Sequence, residues 1–329
     1  MKVLSSTLFA LLFSLVSISV VTANPARWTL EGWKTDFEKS SISFSEILSG
    51  GPPKDGIPSI DSPKFQPASS IKTLGDRDPV IRLDIKGDIR AYPLQVLTWH
   101  EIVNDVVGGV PVAVTYCPLC NASIAFERKI DDQILEFGTT GKLRNSDLVM
   151  YDRQTESWWQ QFTGEAIVGS LQGTELTMIP VRVTSFSDFK TELPNGKVLV
   201  PNQPSARPYG RNPYVKYDSR NTPYPLFTGD LPENINPMAR VVVFASGGKR
   251  QAVMLAKIRQ TGSLKIGDIS LNWEKGVASA LDSADISNSR DIGGVRVTRE
   301  KGGKAEDLVH DVTFAFVFYA FHPDGQLLQ

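Results

Sequence analysis

Both cysteines of this 329-residue chain, Cys117 and Cys120, fall in the stretch VAVTYCPLCNAS, where only two residues separate them. A Cys-x-x-Cys pair can bind a metal ion through two thiolates, exchange disulfides with a partner, or close a small structural bridge. Pro118 fixes φ early in the turn, and Asn121 tolerates the left-handed conformation that often follows the second cysteine of a metal knuckle. The residue types therefore favour a metal site and leave the other two alternatives open.

A tetrahedral metal site needs more ligands than two sulfurs, and the chain has only three histidines. His100 is the first candidate, because a helix that leads into the VAVTY strand could fold back and bring its imidazole to Cys117. His310 and His322 are weaker candidates, and Met150 could add a soft thioether ligand. Thiolates combined with imidazole indicate copper or zinc. His100 and Met150 can equally be ordinary packed residues of the core.

These residues support three hypotheses about function. The leading one is an exported protein that binds copper or zinc through His100, Cys117 and Cys120, with Met150 as a candidate fourth ligand, for metal handling or metal-dependent redox chemistry. The second is a thiol-disulfide oxidoreductase, in which Cys117 attacks, Cys120 resolves and His100 lowers the pKa of the attacking thiol. The third is a binding module with a structural CxxC loop. No motif identifies a reaction, a substrate or a partner.

The elements that must position these residues are mostly strands. VIRLDI and IRAYPL alternate around a Gly-Asp turn, which predicts a β-hairpin, and the β-branched run VPVAVTY and the segment SIAFER predict strands on either side of the cysteines. The stretch PLQVLTWHEIVNDVVGG has apolar residues at near-helical spacing and predicts a helix that ends at Gly108-Gly109. A stretch rich in Pro, Asn and Tyr, residues 201–237, predicts a long ordered loop. The expected fold class is α+β, strand-rich, with mainly antiparallel sheets and a few short helices.

The N-terminus and the charge balance bear on location and partners. Residues 3–21 are mostly apolar and end at a small-residue site before Asn24, so residues 1–23 are predicted to be a signal peptide for export to the periplasm or outside the cell. No second long apolar run follows, so no membrane span is expected after signal removal. The formal net charge of -1 and the lack of a basic stripe argue against nucleic acid as a partner. The rest divides into an irregular lead-in (24–78), a core motif domain (79–201) and a strand-rich C-terminal part packed on the core (202–329).

Longer motifs resemble a known prokaryotic family, called domain of unknown function 3179. They are AYPLQVLTWHEIVNDVVGGVPVAVTYCPLCNASIAFER, then GTTGKLRNSDLVMYDRQTESWWQQFTGEAIVGSLQGTELTMIP, and the closing FAFVFYAFHPDG. The resemblance implies no reaction, but it places in the family motif Trp99, His100, Glu101, Asn104, Asp105, Cys117, Cys120, Gly141, Asn145, Ser146, Asp147, Met150, Tyr151 and Asp152. The chain departs from the family pattern at Asn121, where a small residue such as Gly is expected, and at Thr140-Gly141, where Ser-Gly is expected.

Overall fold

The computed structural model describes residues 24–328 of the chain. The α-helices in this range are all short: α1 (Pro25–Leu30), α2 (Leu94–His100), α3 (Phe186–Glu192), α4 (Leu255–Thr261) and α5 (Ala315–Phe321). Single 3-10 turns lie at Phe44–Glu46, Ala68–Ser70, Tyr217–Ser219 and Ile286–Asn288. The predicted signal peptide, residues 1–23, lies outside the described residues.

Strands make up most of the regular structure. In the first half of the chain they are β1 (Ile47–Ser49), β2 (Lys64–Pro67), β3 (Pro79–Ile85), β4 (Asp88–Pro93), β5 (Ile102–Val107), β6 (Val110–Cys117), β7 (Ala122–Glu127), β8 (Lys129–Ile130), β9 (Gln133–Ile134), β10 (Phe137–Arg144), β11 (Asp147–Asp152) and β12 (Trp158–Gln160). In the second half they are β13 (Ala166–Val168), β14 (Met178–Ile179), β15 (Val181–Ser185), β16 (Lys197–Val200), β17 (Arg240–Ser246), β18 (Lys249–Met254), β19 (Ser263–Ile266), β20 (Ile269–Glu274), β21 (Gly294–Lys301), β22 (Lys304–Asp307), β23 (His310–Phe314) and β24 (Gln326–Leu328).

The strands form several small sheets. Their orders are β1-β10-β11-β12-β13, β14-β7-β6-β5, β15-β3-β4-β16-β2, β23-β17-β18-β24 and β19-β20-β21-β22, with β8-β9 as a separate pair. Strand pairs are antiparallel except β16 with β4 and β18 with β24. This architecture confirms the predicted strand-rich α+β class with mainly antiparallel sheets.

One large hydrophobic core joins early and late parts of the chain. Its buried side chains include Ile81 on β3, Val114 on β6, Trp159 on β12 and Phe316 on α5. Residues on both sides of position 201 therefore share this core, whereas the proposed division into domains stays a prediction. Within residues 24–328, the helices are too short and too polar to cross a membrane.

The hairpin predicted from VIRLDI and IRAYPL is confirmed as β3 and β4, but the helix predicted to reach Gly108 is wrong. Helix α2 ends at His100, because Glu101 adopts a left-handed backbone with φ 58°. The β-branched residues that follow then form β5, in which Ile102 pairs with Thr115 of β6. The near-helical spacing of apolar residues across this stretch therefore does not come from one helix. It arises because a short helix, α2, is followed directly by a strand, β5.

The stretch 201–237 is confirmed as a long ordered loop. It contains only the 3-10 turn at Tyr217–Ser219, and its aromatic side chains, including Tyr214, Tyr224 and Phe227, pack against the large core. We call this stretch the cap segment. The lead-in, residues 24–78, is mostly irregular but contains α1 and two short strands.

Candidate metal centre

The two cysteines lie on the turn of the β6–β7 hairpin. Cys117 is the last residue of β6 and pairs with Ala122, the first residue of β7. Asn121 has a left-handed backbone with φ 55°, and its amide donates to the carbonyl oxygen of Pro118 at 3.2 Å. The strand predicted to follow the cysteines is therefore confirmed, and no helix starts at Cys117.

Strand β23, near the end of the chain, holds the back of this turn. The hydroxyl of Thr313 donates to the carbonyl oxygen of Cys120 at 2.7 Å, and the side-chain amide of Asn121 donates to the carbonyl oxygen of Val312 at 2.7 Å. The backbone amide of Ser123 donates to Asp311 at 2.9 Å. The cysteine turn is thus fixed by hydrogen bonds to residues almost two hundred positions away.

Asp147 is the third member of the group. It begins β11 after two consecutive left-handed residues, Asn145 (φ 52°) and Ser146 (φ 63°), which turn the β10–β11 hairpin. One carboxylate oxygen of Asp147 and the sulfurs of Cys117 and Cys120 all lie within 4.8 Å of one another, and all three residues are buried. This arrangement could hold a metal ion.

The hairpin turn also places a carbonyl group against both thiols. The sulfurs of Cys117 and Cys120 lie 3.7 Å and 3.4 Å from the carbonyl oxygen of Ser146, which accepts from both. Both cysteines are free thiols in the structure. Ser146 therefore links the two hairpins through its backbone, while its neighbour Asp147 supplies the side chain.

Several buried polar atoms in this region lack hydrogen-bond partners. Oδ2 of Asp147 accepts from Nε2 of Gln160 at 2.5 Å and from the amide of Phe162 at 2.9 Å, but Oδ1 has no donor. The hydroxyls of Tyr116 and Ser146 are also buried without a partner. Unpaired buried polar groups cost about 1–3 kcal/mol each, so a further partner for Asp147 Oδ1 would be favourable.

The acidic groups of the site are destabilised in their charged forms. Burial raises the pKa values of both Cys117 and Cys120, that of Cys120 well above the usual range. Burial also raises the pKa of Asp147 to about 6, against the lowering effect of hydrogen bonds from Gln160 and Phe162. Such groups remain buried at a cost unless a cation compensates them.

Glu101 adds a second buried carboxyl group near Asp147. Glu101 is 8% exposed, and its burial together with the charge of Asp147 raises its pKa to about 8. No hydrogen bond or positive charge from the described residues lowers that pKa. The left-handed backbone of Glu101 places an ionisable group in a strained conformation, a combination that is typical of functional sites.

His100, the predicted third ligand, is not part of this group. Its Nδ1 lies 2.7 Å from the carbonyl oxygen of Pro58, and its Nε2 lies 2.8 Å from the hydroxyl of Tyr209. Both ring nitrogens are thus engaged in hydrogen bonds. The structure brings together only Cys117 and Cys120 of the predicted set and places Asp147 where the histidine was expected.

Met150, the other candidate ligand, lies in the large core. It is completely buried and pairs with Trp159 across β11 and β12. Side chains on a strand alternate between its faces, so Met150 points away from the face that carries Asp147. The geometry thus matches the alternative in which Met150 fills core space.

The two later histidines are likewise engaged elsewhere. The ring nitrogens of His310 lie 2.8 Å and 3.2 Å from the carbonyl oxygens of Leu308 and Val295. His322 contacts the ring of Phe162, and burial lowers its pKa to about 4. Neither belongs to the group around the thiols.

The burial of the thiols also bears on disulfide exchange. Cys117 is 2% exposed and Cys120 is not exposed at all, and both pKa values are raised. A thiol that attacks a partner disulfide must be accessible and partly ionised. The geometry argues against that chemistry in this conformation.

The cap segment closes the site from one side. The hydroxyl of Tyr217 donates to the carbonyl oxygen of Leu119 at 3.0 Å, inside the cysteine turn. The amide of Ser146 donates to the carbonyl oxygen of Leu226 at 3.1 Å. The cap segment therefore contacts both hairpins that supply the metal group.

Comparison with curated proteins and with solved structures gave no significant match. A family model described as protein of unknown function, DUF3179, matches residues 54–325. The match covers most of the chain and includes Glu101, Cys117, Cys120 and Asp147, so it confirms the resemblance seen in the motifs. The chain therefore belongs to the DUF3179 family of proteins of unknown function.

Proposed function

We propose that this protein binds one zinc ion through Cys117, Cys120 and Asp147. The observation that carries the proposal is the convergence of two sulfurs and a carboxylate oxygen within 4.8 Å in a buried position. Thiolates and carboxylates are both common zinc ligands, and zinc accepts them together in tetrahedral sites. Three protein ligands leave one position for a further group.

Zinc fits this set of donors better than copper does. Copper(I) prefers thiolate and thioether ligands, and the alternation of side chains along β11 puts Met150 on the opposite face from Asp147. A carboxylate is a hard ligand that suits a divalent ion of intermediate softness. Copper remains the second candidate because of the two thiolates.

Charge balance also supports a bound cation. Asp147 and Glu101 are buried close enough for the charge of Asp147 to raise the pKa of Glu101, and no arginine, lysine or histidine of the described residues lowers the pKa of Glu101. Buried charges are normally paired or bound to a metal. A zinc ion would supply the missing positive charge, with Glu101 as the nearby group for the fourth position.

The role that we propose is metal handling by an exported protein. Export rests on the N-terminal sequence alone, whose apolar run precedes the described residues. Burial of the thiols and the cap segment over them suit a tightly held metal rather than exchange with a partner disulfide. Because zinc does not change oxidation state, the site on this proposal performs no redox chemistry itself.

The experiment is metal analysis of protein purified under reducing conditions. We expect about one zinc per chain, and we expect it to be lost in the Cys117→Ser and Asp147→Asn variants while Asp152→Asn retains it. Asp152 is a matched control, because it is a buried aspartate at the other end of β11. Stoichiometric copper in place of zinc would change the metal but keep the site, whereas metal-free protein that takes up neither ion would overturn the proposal.

A further inference from the structure

An open acidic cleft lies beside the proposed zinc site. The cleft has a volume of about 480 Å³ and is bounded by residues 229–235 of the cap segment, by residues around Tyr319 at the end of α5, and by Asn145. Asn145 belongs to the same turn as Ser146 and Asp147. The turn of the β10–β11 hairpin therefore faces the cleft on one side and the thiols on the other.

Three consecutive side chains of this turn carry unpaired oxygens. Asn145 is 9% exposed, lines the cleft and makes no hydrogen bond through its side chain with any described residue. The hydroxyl of Ser146 and Oδ1 of Asp147 are buried and also lack partners. These three consecutive residues connect the cleft, which Asn145 lines, to the metal group, to which Asp147 belongs.

The charge of the cleft selects cations. Two acidic residues, Asp230 and Glu233, lie on its rim, and no lysine, arginine or histidine is among the residues that line it. Both acidic side chains are exposed, so they attract ions from solution rather than fix one permanently. The two carboxylates on the rim therefore favour a cation over an anion.

We propose that hydrated zinc reaches the buried site through this cleft, drawn by Asp230 and Glu233 and passed along Asn145 and Ser146 to Asp147. The inference rests on the proposed zinc site. Oxygen ligands suit the intermediate steps, because each can replace one water molecule of the hydrated ion before the thiolates bind it.

The test is the rate of zinc uptake by reduced, metal-free protein. Stopped-flow mixing with zinc chloride and a metallochromic dye measures the disappearance of free zinc. The test variant is Asp230→Asn/Glu233→Gln. The control is Asp131→Asn/Asp132→Asn, which removes the same two charges from the exposed β8–β9 turn, away from the cleft.

We expect uptake in the cleft variant to be slower by about threefold or more at low salt, because two charges near the path attract a divalent ion. We expect the difference to disappear at about 1 M salt, where charges are screened within about 3 Å. The final stoichiometry and the rate of the control should match the wild type. Equal rates in the wild type and the cleft variant, or equal slowing in the control, would overturn this route while leaving the zinc site intact. Wild-type protein that takes up no zinc would overturn the proposed function instead.

Discussion

Replacing Asp147 by asparagine should affect the metal-free and zinc-bound forms in opposite directions. In the metal-free protein, burial raises the pKa of Asp147 from its ordinary value of 3.8 to about 6, so its charged form disfavours folding by about 3 kcal/mol at pH 7. Asparagine removes that charge and keeps an oxygen for the donors Gln160 and Phe162. After allowing about 1 kcal/mol for weaker hydrogen bonds, we expect metal-free Asp147→Asn to be about 2 kcal/mol more stable than metal-free wild type.

Zinc should reverse this order. Zinc at about 100 times its Kd stabilises the wild type by about 2.7 kcal/mol, which for a chain of roughly 300 residues raises the thermal midpoint by about 4 °C. The variant lacks a ligand and should gain little. Thermal unfolding followed by circular dichroism, with zinc or with a chelator, therefore measures two differences of opposite sign.

The Asp152→Asn variant provides the control for this measurement. Asp152 is equally buried and accepts hydrogen bonds from Thr155 and Trp159, but it is not in the metal group. The Asp152→Asn substitution should lower the thermal midpoint both with and without zinc. It should leave unchanged the increase of about 4 °C that zinc causes. If metal-free Asp147→Asn unfolds several degrees below the wild type and zinc raises both midpoints equally, Asp147 is only a structural acceptor and our reasoning fails.

Three further substitutions test the surroundings of the site. Glu101→Gln should weaken zinc binding about tenfold without changing its stoichiometry, as measured by competition with a chelator, if Glu101 serves the fourth position. Asp311→Asn tests a pH effect: burial raises the pKa of Asp311 to about 7, so its contribution to stability is present at low pH and is lost as the pH rises through 7. In denaturant unfolding, the free energy of unfolding of Asp311→Asn relative to that of the wild type should therefore rise by about 3 kcal/mol between pH 5 and pH 8. Tyr217→Phe should cost about 1 kcal/mol in urea unfolding, because the carbonyl group of Leu119 loses its donor.

The local geometry of the cysteine turn could be predicted from the sequence. A β-branched run before Cys117, an alternating run after Cys120 and an asparagine suited to left-handed φ all act over a few residues, and the structure contains the strands and the turn that they predict. The β3–β4 hairpin was predictable for the same reason. Local preferences suffice where each residue's neighbours in sequence are also its neighbours in space.

The third ligand was not predictable in this way. Asp147 reaches the thiols because the β10–β11 hairpin lies against the cysteine turn, and no pattern within either segment reports that contact. His100 was a reasonable candidate while the helix was expected to continue to Gly108. The left-handed Glu101 ends α2, and the histidine instead bonds to Pro58 and Tyr209. The signal that was available was the motif Asn-Ser-Asp, whose first two residues tolerate the turn that brings Asp147 inward.

The hydrogen bonds between β23 and the cysteine turn have a consequence for synthesis of the chain. The thiols are synthesised almost two hundred residues before Val312 and Thr313, which hold the turn from behind. The pair therefore lacks this support while the intervening residues are synthesised, and during that time it is open to oxidants and to competing metal ions. A chain truncated before residue 310 would keep both cysteines and Asp147 but lose the strand that holds the cysteine turn in place.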